Sequence, residues 1–212
     1  MKIGIVVPIY ERVFYLKKMV KALAKTKYNA PREIIFVDDY SSDKEIEKII
    51  NIIDEKLIFI KKKNKGIADS LMIGFDYLKK RGCNVFCNID SDAVMKPEWI
   101  LKETELLACY PGHIITGFNS NNTKKHWVLA EHEDCYEKRT ANGINYMFGE
   151  AQYDNVIKSL QYNNAWDQKL CEIMLKEEKK PFISTRPSVV NHIGKISSDT
   201  LKHINFDYAE DY

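Results

Sequence analysis

The sequence carries little net charge and no long hydrophobic run, and both absences narrow the possible functions. Its 32 basic and 30 acidic residues leave a formal charge of only +2, so no overall field favours nucleic acid or an anionic membrane as a partner. No stretch approaches the roughly 20 apolar residues that cross a bilayer, and the apolar run at 3–7 is too short for a signal peptide. We therefore expect a cytoplasmic protein without a transmembrane segment, with at most a peripheral membrane contact.

Paired cysteines and glycine-rich phosphate motifs are also missing. The five cysteines are odd in number and none forms a C-x-x-C pair, which favours a reduced protein and argues against structural zinc. The absence of G-x-G-x-x-G disfavours a dinucleotide-dependent dehydrogenase. These absences leave an ordinary reduced globular domain, long enough to bury a sizeable core.

Apolar runs alternate with segments of helical periodicity through the first half. Strands are predicted at 2–9, 33–37, 57–60, 85–89 and 114–118, and helices at 13–25, 44–54, 68–80 and 97–108. This alternation predicts an α/β fold with a mostly parallel central sheet and helices on both faces. Extended segments at 135–139 and 143–148 and a helix at 165–179 follow, without a linker. We expect a single domain at 1–194, with halves 1–118 and 119–194, and a tail or lid at 195–212.

The residues that follow each of the first four strands are the candidates for a site, because the ligand crevice of an open parallel sheet lies there. They are Pro8, Tyr10, Glu11, Asp38, Asp39, Asn64, Gly66, Asp90 and Asp92. Clustered carboxylates are costly unless a cation or hydrogen-bond donors compensate them. Asp90-Ser91-Asp92 alone is a weak motif, since a solvated turn would use the same residues. Its place directly after a buried strand favours a site for Mg²⁺ or Mn²⁺.

These motifs, in this order, resemble those of a known family. Val6-Val7-Pro8-Ile9-Tyr10, Phe36-Val37-Asp38-Asp39-Tyr40, Asn64-Lys65-Gly66 and Asn88-Ile89-Asp90-Ser91-Asp92 are similar to the nucleotide-sugar-binding half of family 2 glycosyltransferases with the GT-A fold. The resemblance makes 1–118 the nucleotide-sugar-binding half and 119–194 the acceptor-binding half. Where the family often has Ala-Arg-Asn, this chain has Ser70-Leu71-Met72, which removes a charged contact to the donor.

The resemblance also assigns roles to individual residues. Asp39 would bind the nucleobase, while Asp90 and Asp92 would hold Mn²⁺ or Mg²⁺ on the diphosphate. The remaining donor contacts would come from Pro8, Tyr10, Glu11, Asn64, Lys65, Gly66 and Ser91. Strand-ending and helix-starting turns stay open as alternatives for the Asp38-Asp39 pair and for Gly66.

Two further residues are proposed from the second half. In the family, an acidic residue placed like Asp167 is the catalytic base, although a helix also favours a carboxylate in its first turn. Glu150 is the fallback for this role. His192 either joins the metal, as a late histidine often does in related enzymes, or packs as a neutral side chain.

The reaction implied is metal-dependent, inverting transfer of a sugar from a nucleoside diphosphate donor, expected to be a uridine one. The acceptor would be a hydroxyl of a saccharide or another compound, in glycan or polysaccharide synthesis. Aromatic residues in the second half indicate the acceptor side, and Lys61-Lys62-Lys63 is either a phosphate or membrane contact or a solvated face. One alternative is a sugar-1-phosphate nucleotidyltransferase, disfavoured because no glycine-rich loop follows the first strand. The other is a nucleotide-sugar-binding protein without catalysis.

Overall fold

The computed structural model describes residues 1–53, 57–122, 124–195, 207–209 and 211–212. The first half alternates strands and helices as predicted. Its elements are β1 (Ile3–Ile9), α1 (Val13–Leu23), β2 (Arg32–Asp38), α2 (Ile46–Ile50), β3 (Leu57–Lys61), α3 (Ile67–Lys80) and β4 (Val85–Ile89). The helix expected at 44–54 is shorter, and residue 54 lies outside the described residues.

The rest of the chain contains more regular structure than the sequence indicated. Its elements are β5 (Ala93–Met95), α4 (Trp99–Cys109), β6 (Ile114–Thr116), β7 (Val128–Glu131), β8 (Cys135–Lys138), β9 (Asn145–Gly149), α5 (Glu150–Leu160), α6 (Trp166–Glu172), β10 (Phe182–Thr185) and β11 (Val190–His192). Between α5 and α6 lies a 3₁₀ turn at Asn163–Ala165, and α6 continues into a π-helical segment at Ile173–Glu178. The helix expected at 165–179 is thus observed as α6 together with the π-helical segment, whereas α5, β5, β7 and β10 were not predicted.

Within the described residues the strands form a nine-stranded sheet in the order β3-β2-β1-β4-β9-β6-β10-β8-β7. The strands from β3 to β4 are all parallel neighbours, as expected. From β9 onward the sheet is mixed: β9 is antiparallel to β4 and β6, and β8 to β7 and β10. The prediction of a mostly parallel sheet is therefore wrong for the second half, because short apolar segments give no sign of strand direction.

Helices cover both faces of the sheet, which confirms the predicted α/β layering. Alternate residues of β1 point to opposite faces, since side chains alternate along a strand. Ile5 and Val7 pack with α1, α2 and α4, whereas Val6 packs with α3, α5 and α6. No helix among the described residues is both long and apolar enough to span a membrane.

Strand β9 connects the second half to the carboxyl end of β4. Asn145 pairs with Ile89, and the Asp90 amide donates a hydrogen bond to the carbonyl of Ile144 at 2.9 Å. Because β9 runs antiparallel, its other end, Gly149, pairs with Val85 at the amino end of β4. Residues that precede β9 therefore lie beside Asp90, and residues that follow β9 lie at the opposite edge.

The described part of the tail packs against the second half. Ala209 bridges to Ser120, and the Ser188 amide donates to the Asp211 carboxylate at 3.1 Å. Residues 196–206 and 210, which include most of the predicted tail or lid, lie outside the described residues.

The aromatic cluster under α3 and α5 provides a test of the packing. Phe86 is fully buried, with ring centroids 5.7 Å from Phe148 and 4.8 Å from Tyr153. We expect Phe86→Ala to lower the free energy of unfolding by about 3–5 kcal/mol, because it removes apolar area and leaves a cavity. Urea denaturation measures this change. Leu101→Ala on the exposed side of α4 is the control, and equal losses for both variants would contradict the packing.

Candidate active site

Residues from the ends of neighbouring strands line one cleft of about 200 Å³, here called the strand-end cleft. The structure brings together most of the donor-binding residues expected from the sequence, namely Pro8, Tyr10, Asp39, Asn64, Gly66, Asp90 and Ser91. Arg12, Ser70 and Asn164 also contribute to the lining. Glu11 turns away instead: its carboxylate accepts hydrogen bonds from the amide and hydroxyl of Ser42, at 2.9 and 3.2 Å.

Asp39 fixes the turn between β3 and α3. Its carboxylate accepts the Lys65 amide at 2.9 Å and the Gly66 amide at 2.8 Å, and it pairs with Lys62. Gly66 has φ of +90°, a conformation that favours glycine, so the turn depends on this residue type. Lys65 thus contributes a backbone amide to the turn, and both oxygens of Asp39 already accept hydrogen bonds.

The basic run after β3 is used inside the protein. The Lys62 side chain is only 8% exposed and lies between Asp39 and Asp69, with its Nζ 3.0 Å from the Asp69 carboxylate. Lys61 approaches the buried carboxylate of Asp38 at 3.4 Å. These lysines neutralise strand-end carboxylates, and the run is therefore not a simple solvated face.

Asp92 is the meeting point of three chain segments. Its Oδ2 accepts a hydrogen bond from Nη1 of Arg12 at 2.6 Å and lies 3.1 Å from Nε2 of His192. Nδ1 of His192 lies 3.0 Å from the carbonyl of Asp207, which makes Nδ1 the donor. Arg12 and Glu11 both have left-handed backbone angles, with φ of 55° and 52°. Such conformations cost free energy and concentrate at functional sites.

The carboxyl groups of the D-x-D triplet have opposite pKa shifts. Burial raises the pKa of Asp90 to about 8, and the charge of Asp92 adds to this effect. Burial also acts to raise the pKa of Asp92, but the His192 hydrogen bond and the charges of His192 and Arg12 hold it below its usual value. Burial acts to lower the pKa of His192, and the bond and charge of Asp92 outweigh it and raise that pKa. Asp92 is therefore the ionised carboxylate of the pair.

The donor set at this position suits a divalent cation in its chemistry. Asp90 and Asp92 supply carboxylate oxygens, His192 supplies an imidazole, and Oδ1 of Asp90 is buried without a hydrogen-bond partner in the described residues. No three His, Cys, Asp or Glu side chains in the described part of the chain are grouped closely enough to hold a metal ion as they stand. Arg12 already contacts the Asp92 oxygen, so a cation would share or replace that contact.

A second cleft of about 490 Å³, the Asp167 cleft, adjoins the first. It is lined by Asp167, His192 and Asp207, and it shares Asp90 with the strand-end cleft. Asp167 lies in the first turn of α6, where its Oδ1 accepts the Gln168 amide at 2.8 Å. Asp167 therefore occupies the first helical turn, where a carboxylate is favourable in any helix, and it also lines the cleft.

Gly143 explains how α6 approaches the strand end. A Cβ atom at this position would lie 2.6 Å from the Trp166 ring and 3.2 Å from Cβ of Asp167. The missing side chain lets the start of α6 pack against the segment that enters β9. Glu150 follows Gly149 at the opposite edge of the sheet, so the structure does not support it as the fallback base.

Three residues of the site were not identified from the sequence. Arg12 directly follows Tyr10 and Glu11 at the end of β1, so its position in the sequence was a signal for the site. Asn164 and Asp207 carry no local signal, because tertiary contacts alone bring them to the clefts.

Comparison with known proteins shows the family of the chain. The model of the family described as "Glycosyl transferase family 2" matches residues 4–158. The chain belongs to glycosyl transferase family 2. This membership confirms the predicted family and enzyme class. A search of curated protein sequences finds no match.

Solved structures share the GT-A fold at low sequence identity. Residues 1–349 of S. aureus TarS match with a TM-score of 0.62 and 16% identity, over 87% of this chain and 58% of that one. The complex of the same TarS fragment with UDP-GlcNAc gives 0.61 and 17%, over 87% and 56%. GalNAc-T7 with UDP, GalNAc and Mn²⁺ gives 0.69 and 12%, over 92% and 44%. This family 2 chain thus spans little more than half of the TarS fragment.

The contact between Gly194 and Asp92 provides a test of the site. A Cβ atom at Gly194 would lie 1.9 Å from Oδ2 of Asp92, so Gly194→Ala must displace this carboxylate. We expect turnover of the nucleotide-sugar donor to fall about 100-fold, because small displacements of reacting groups are costly. Gly149→Ala is the matched control, since a Cβ atom there has no neighbour within 4 Å. Thermal denaturation separates loss of the site from loss of the fold, and full turnover by Gly194→Ala would exclude the arrangement described.

Proposed function

We propose that this family 2 chain transfers a sugar from a uridine diphosphate donor to an acceptor hydroxyl, with inversion at the anomeric carbon. The observation that carries the proposal is that the strand-end cleft and the Asp167 cleft meet at Asp90. The first contains the residues expected to bind the donor, and the second contains the candidate base. The sugar to be transferred would lie between them.

On the donor side, positive charge is available for the leaving diphosphate. Arg12 lines the strand-end cleft, and the amino end of α3 faces the same cleft through Gly66, Ile67 and Ser70. A helix amino end favours negative charge. A bound Mn²⁺ or Mg²⁺ would stabilise the charge that develops on the diphosphate, and Asp90, Asp92 and His192 are the residues that would hold it.

On the acceptor side, Asp167 is proposed as the general base. Its carboxylate would take the proton from the attacking hydroxyl while that oxygen attacks the anomeric carbon. Its position across the Asp167 cleft from the strand ends suits attack opposite the leaving group, which inversion requires. The proposed division into a donor half at 1–118 and an acceptor half at 119–194 follows this arrangement, although Asn164 also lines the strand-end cleft.

The solved structures support the choice of donor and metal. TarS was crystallised with UDP and with UDP-GlcNAc, and GalNAc-T7 with UDP and Mn²⁺.

Ser70, which stands where the family often has alanine, donates to the carbonyl of Gly66 at 3.3 Å. The donor cleft of this chain thus lacks the usual arginine in the Ser70-Leu71-Met72 stretch but has Arg12 nearby.

The cysteines support a reducing location. Cys83, Cys87, Cys109, Cys135 and Cys171 are all free thiols, and most are buried. We place the protein in the cytoplasm on this basis. Because Lys62 is buried between carboxylates, the run at 61–63 gives little support for a peripheral membrane contact.

The metal requirement is the first test of the mechanism. We expect donor turnover to need Mn²⁺ or Mg²⁺ and to stop in a chelator. Asp92→Ala and Asp92→Asn should each reduce turnover about 1,000-fold or more, because the leaving diphosphate loses its charge stabilisation. Turnover is measured by release of UDP from UDP-sugars, and circular dichroism checks that the variants fold.

Unchanged turnover in the chelator would remove the metal from the mechanism. Arg12→Met would then locate the source of positive charge: loss of activity in that variant would assign the role to Arg12. Binding of UDP-sugars without any turnover would instead favour the non-catalytic binding protein, and release of pyrophosphate from a nucleoside triphosphate would favour the nucleotidyltransferase.

The proposed base is tested by Asp167→Asn. This change keeps the shape and the hydrogen bond to the Gln168 amide but removes the proton acceptor. We expect transfer to fall about 100- to 10,000-fold with little change in donor binding, measured by calorimetry with UDP. Glu150→Gln is the matched control at the opposite sheet edge. A nearly fully active Asp167→Asn would eliminate this assignment.

A further inference from the structure

A third cleft of about 310 Å³ opens on the other side of Asp167. It is called the basic cleft here, after Lys124, Lys125 and Arg139 in its wall, and Trp127 also lines it. It shares Lys125 and Asp167 with the Asp167 cleft. A molecule bound in the basic cleft would therefore reach the proposed base directly.

The cations of the basic cleft have no anionic partner in the described part of the chain. Lys124, Lys125 and Arg139 form no ion pair there, unlike most lysines and arginines around the strand ends. On the opposite wall, Glu172 is paired with Lys169 at 3.3 Å. The cleft therefore has an excess of positive charge, which an anionic ligand would neutralise.

Trp127 offers a fixed aromatic surface in the same cleft. Its side chain is 54% exposed, yet its Nε1 donates to the carbonyl of Lys124 at 2.8 Å. The Arg139 amide donates to the Trp127 carbonyl at 2.9 Å, and its guanidinium lies 5.6 Å from the ring centroid. A ring held in this way can stack on a ligand with little further loss of conformational entropy.

His126 adds an unmatched hydrogen-bond acceptor to the lining. The Thr140 hydroxyl donates to the Lys125 carbonyl at 2.9 Å, so it accepts from Nδ1 of His126, also at 2.9 Å. Nε2 then carries the lone pair, and it has no partner in the described residues. Burial, aided by the charges of Lys125 and Lys138, lowers the pKa of His126 to about 4, which keeps the ring neutral. The His126 side chain therefore adds no charge to the basic cleft, and its cations are the two lysines and Arg139.

We infer that the basic cleft binds the acceptor, and that this acceptor is a saccharide or polyol that carries a phosphate or carboxylate group. The anionic group would contact Lys124 and Arg139, the apolar face of the ring or chain would lie on Trp127, and the reacting hydroxyl would reach Asp167. The inference rests on the proposed function for the role of Asp167. The binding of an anionic saccharide does not depend on that role and is tested separately.

Binding is measured through tryptophan fluorescence. Trp127 is one of three tryptophans, and Trp99 and Trp166 are buried, so a ligand in the basic cleft should change the signal of Trp127 most. Glucose 6-phosphate should bind about 10-fold or more tightly than glucose, and inorganic phosphate should bind more weakly than glucose 6-phosphate. Arg139→Ala and Lys124→Ala should each reduce this preference. Lys80→Ala, a control that removes an exposed lysine in α3 remote from the cleft, should not.

Transfer is measured with the same probes. Transfer to glucose 6-phosphate should fall about 10-fold in Arg139→Ala and should be unchanged in Lys80→Ala. Equal binding of glucose and glucose 6-phosphate, or unchanged binding in Arg139→Ala, would overturn the inference. If inorganic phosphate bound as tightly as glucose 6-phosphate, the inference that the ligand is a saccharide would be overturned. If no UDP-sugar is consumed at all, the proposed function fails, and the fluorescence titration still decides whether the cleft binds anionic saccharides.

Discussion

The site depends on one shared carboxylate oxygen. Oδ2 of Asp92 contacts Arg12 and His192, and it thereby ties the ends of β1, β4 and β11 together. The ion pair is 97% buried on the Asp92 side chain, so neither charge would be stable there alone. Gly194 packs directly against the same oxygen, and there is no space for a side chain at this position.

The direction of β9 determines what the second half can contribute. Inserted antiparallel beside β4, it delivers the segment before Asn145 to the strand ends and sends Glu150 to the far edge. The same insertion brings Gly143 under the start of α6, which places Asp167 across from Asp90. If β9 ran parallel to β4, its end at Gly149 would lie at the carboxyl ends of the strands, and Glu150 would lie near Asp90 instead.

The sequence predicted the strands and helices of the first half and which strand-end residues lie together, because hydrophobic runs and strand-end polar residues are local signals. It failed where the deciding contacts are distant in sequence. Strand direction, the position of Asp207 beside His192 and the change of α6 into a π-helical segment all depend on tertiary packing. Helix α5 was missed because its sequence is largely polar, with a narrow buried face that includes Tyr153, Val156 and Leu160. Asp39 was expected at the site because it follows β2, but its hydrogen bonds to the Lys65 and Gly66 amides cannot be predicted from sequence spacing.

The three clefts differ in how their charges are balanced, and this difference determines which charged ligand each cleft can bind. At the strand ends Asp39 and Asp92 are compensated by Lys62, Arg12 and His192, so a diphosphate in the strand-end cleft would meet groups that are already paired. Its binding therefore requires either a further cation or a rearrangement of Arg12. The basic cleft has the opposite character, since its cations are not paired with carboxylates in the described residues. An anionic acceptor can bind there without displacing any ion pair of those cations, and Asp167, which lines both the basic cleft and the Asp167 cleft, would lie between the two charged ligands. That position suits a base, because the carboxylate can take the proton of the acceptor hydroxyl as that oxygen attacks.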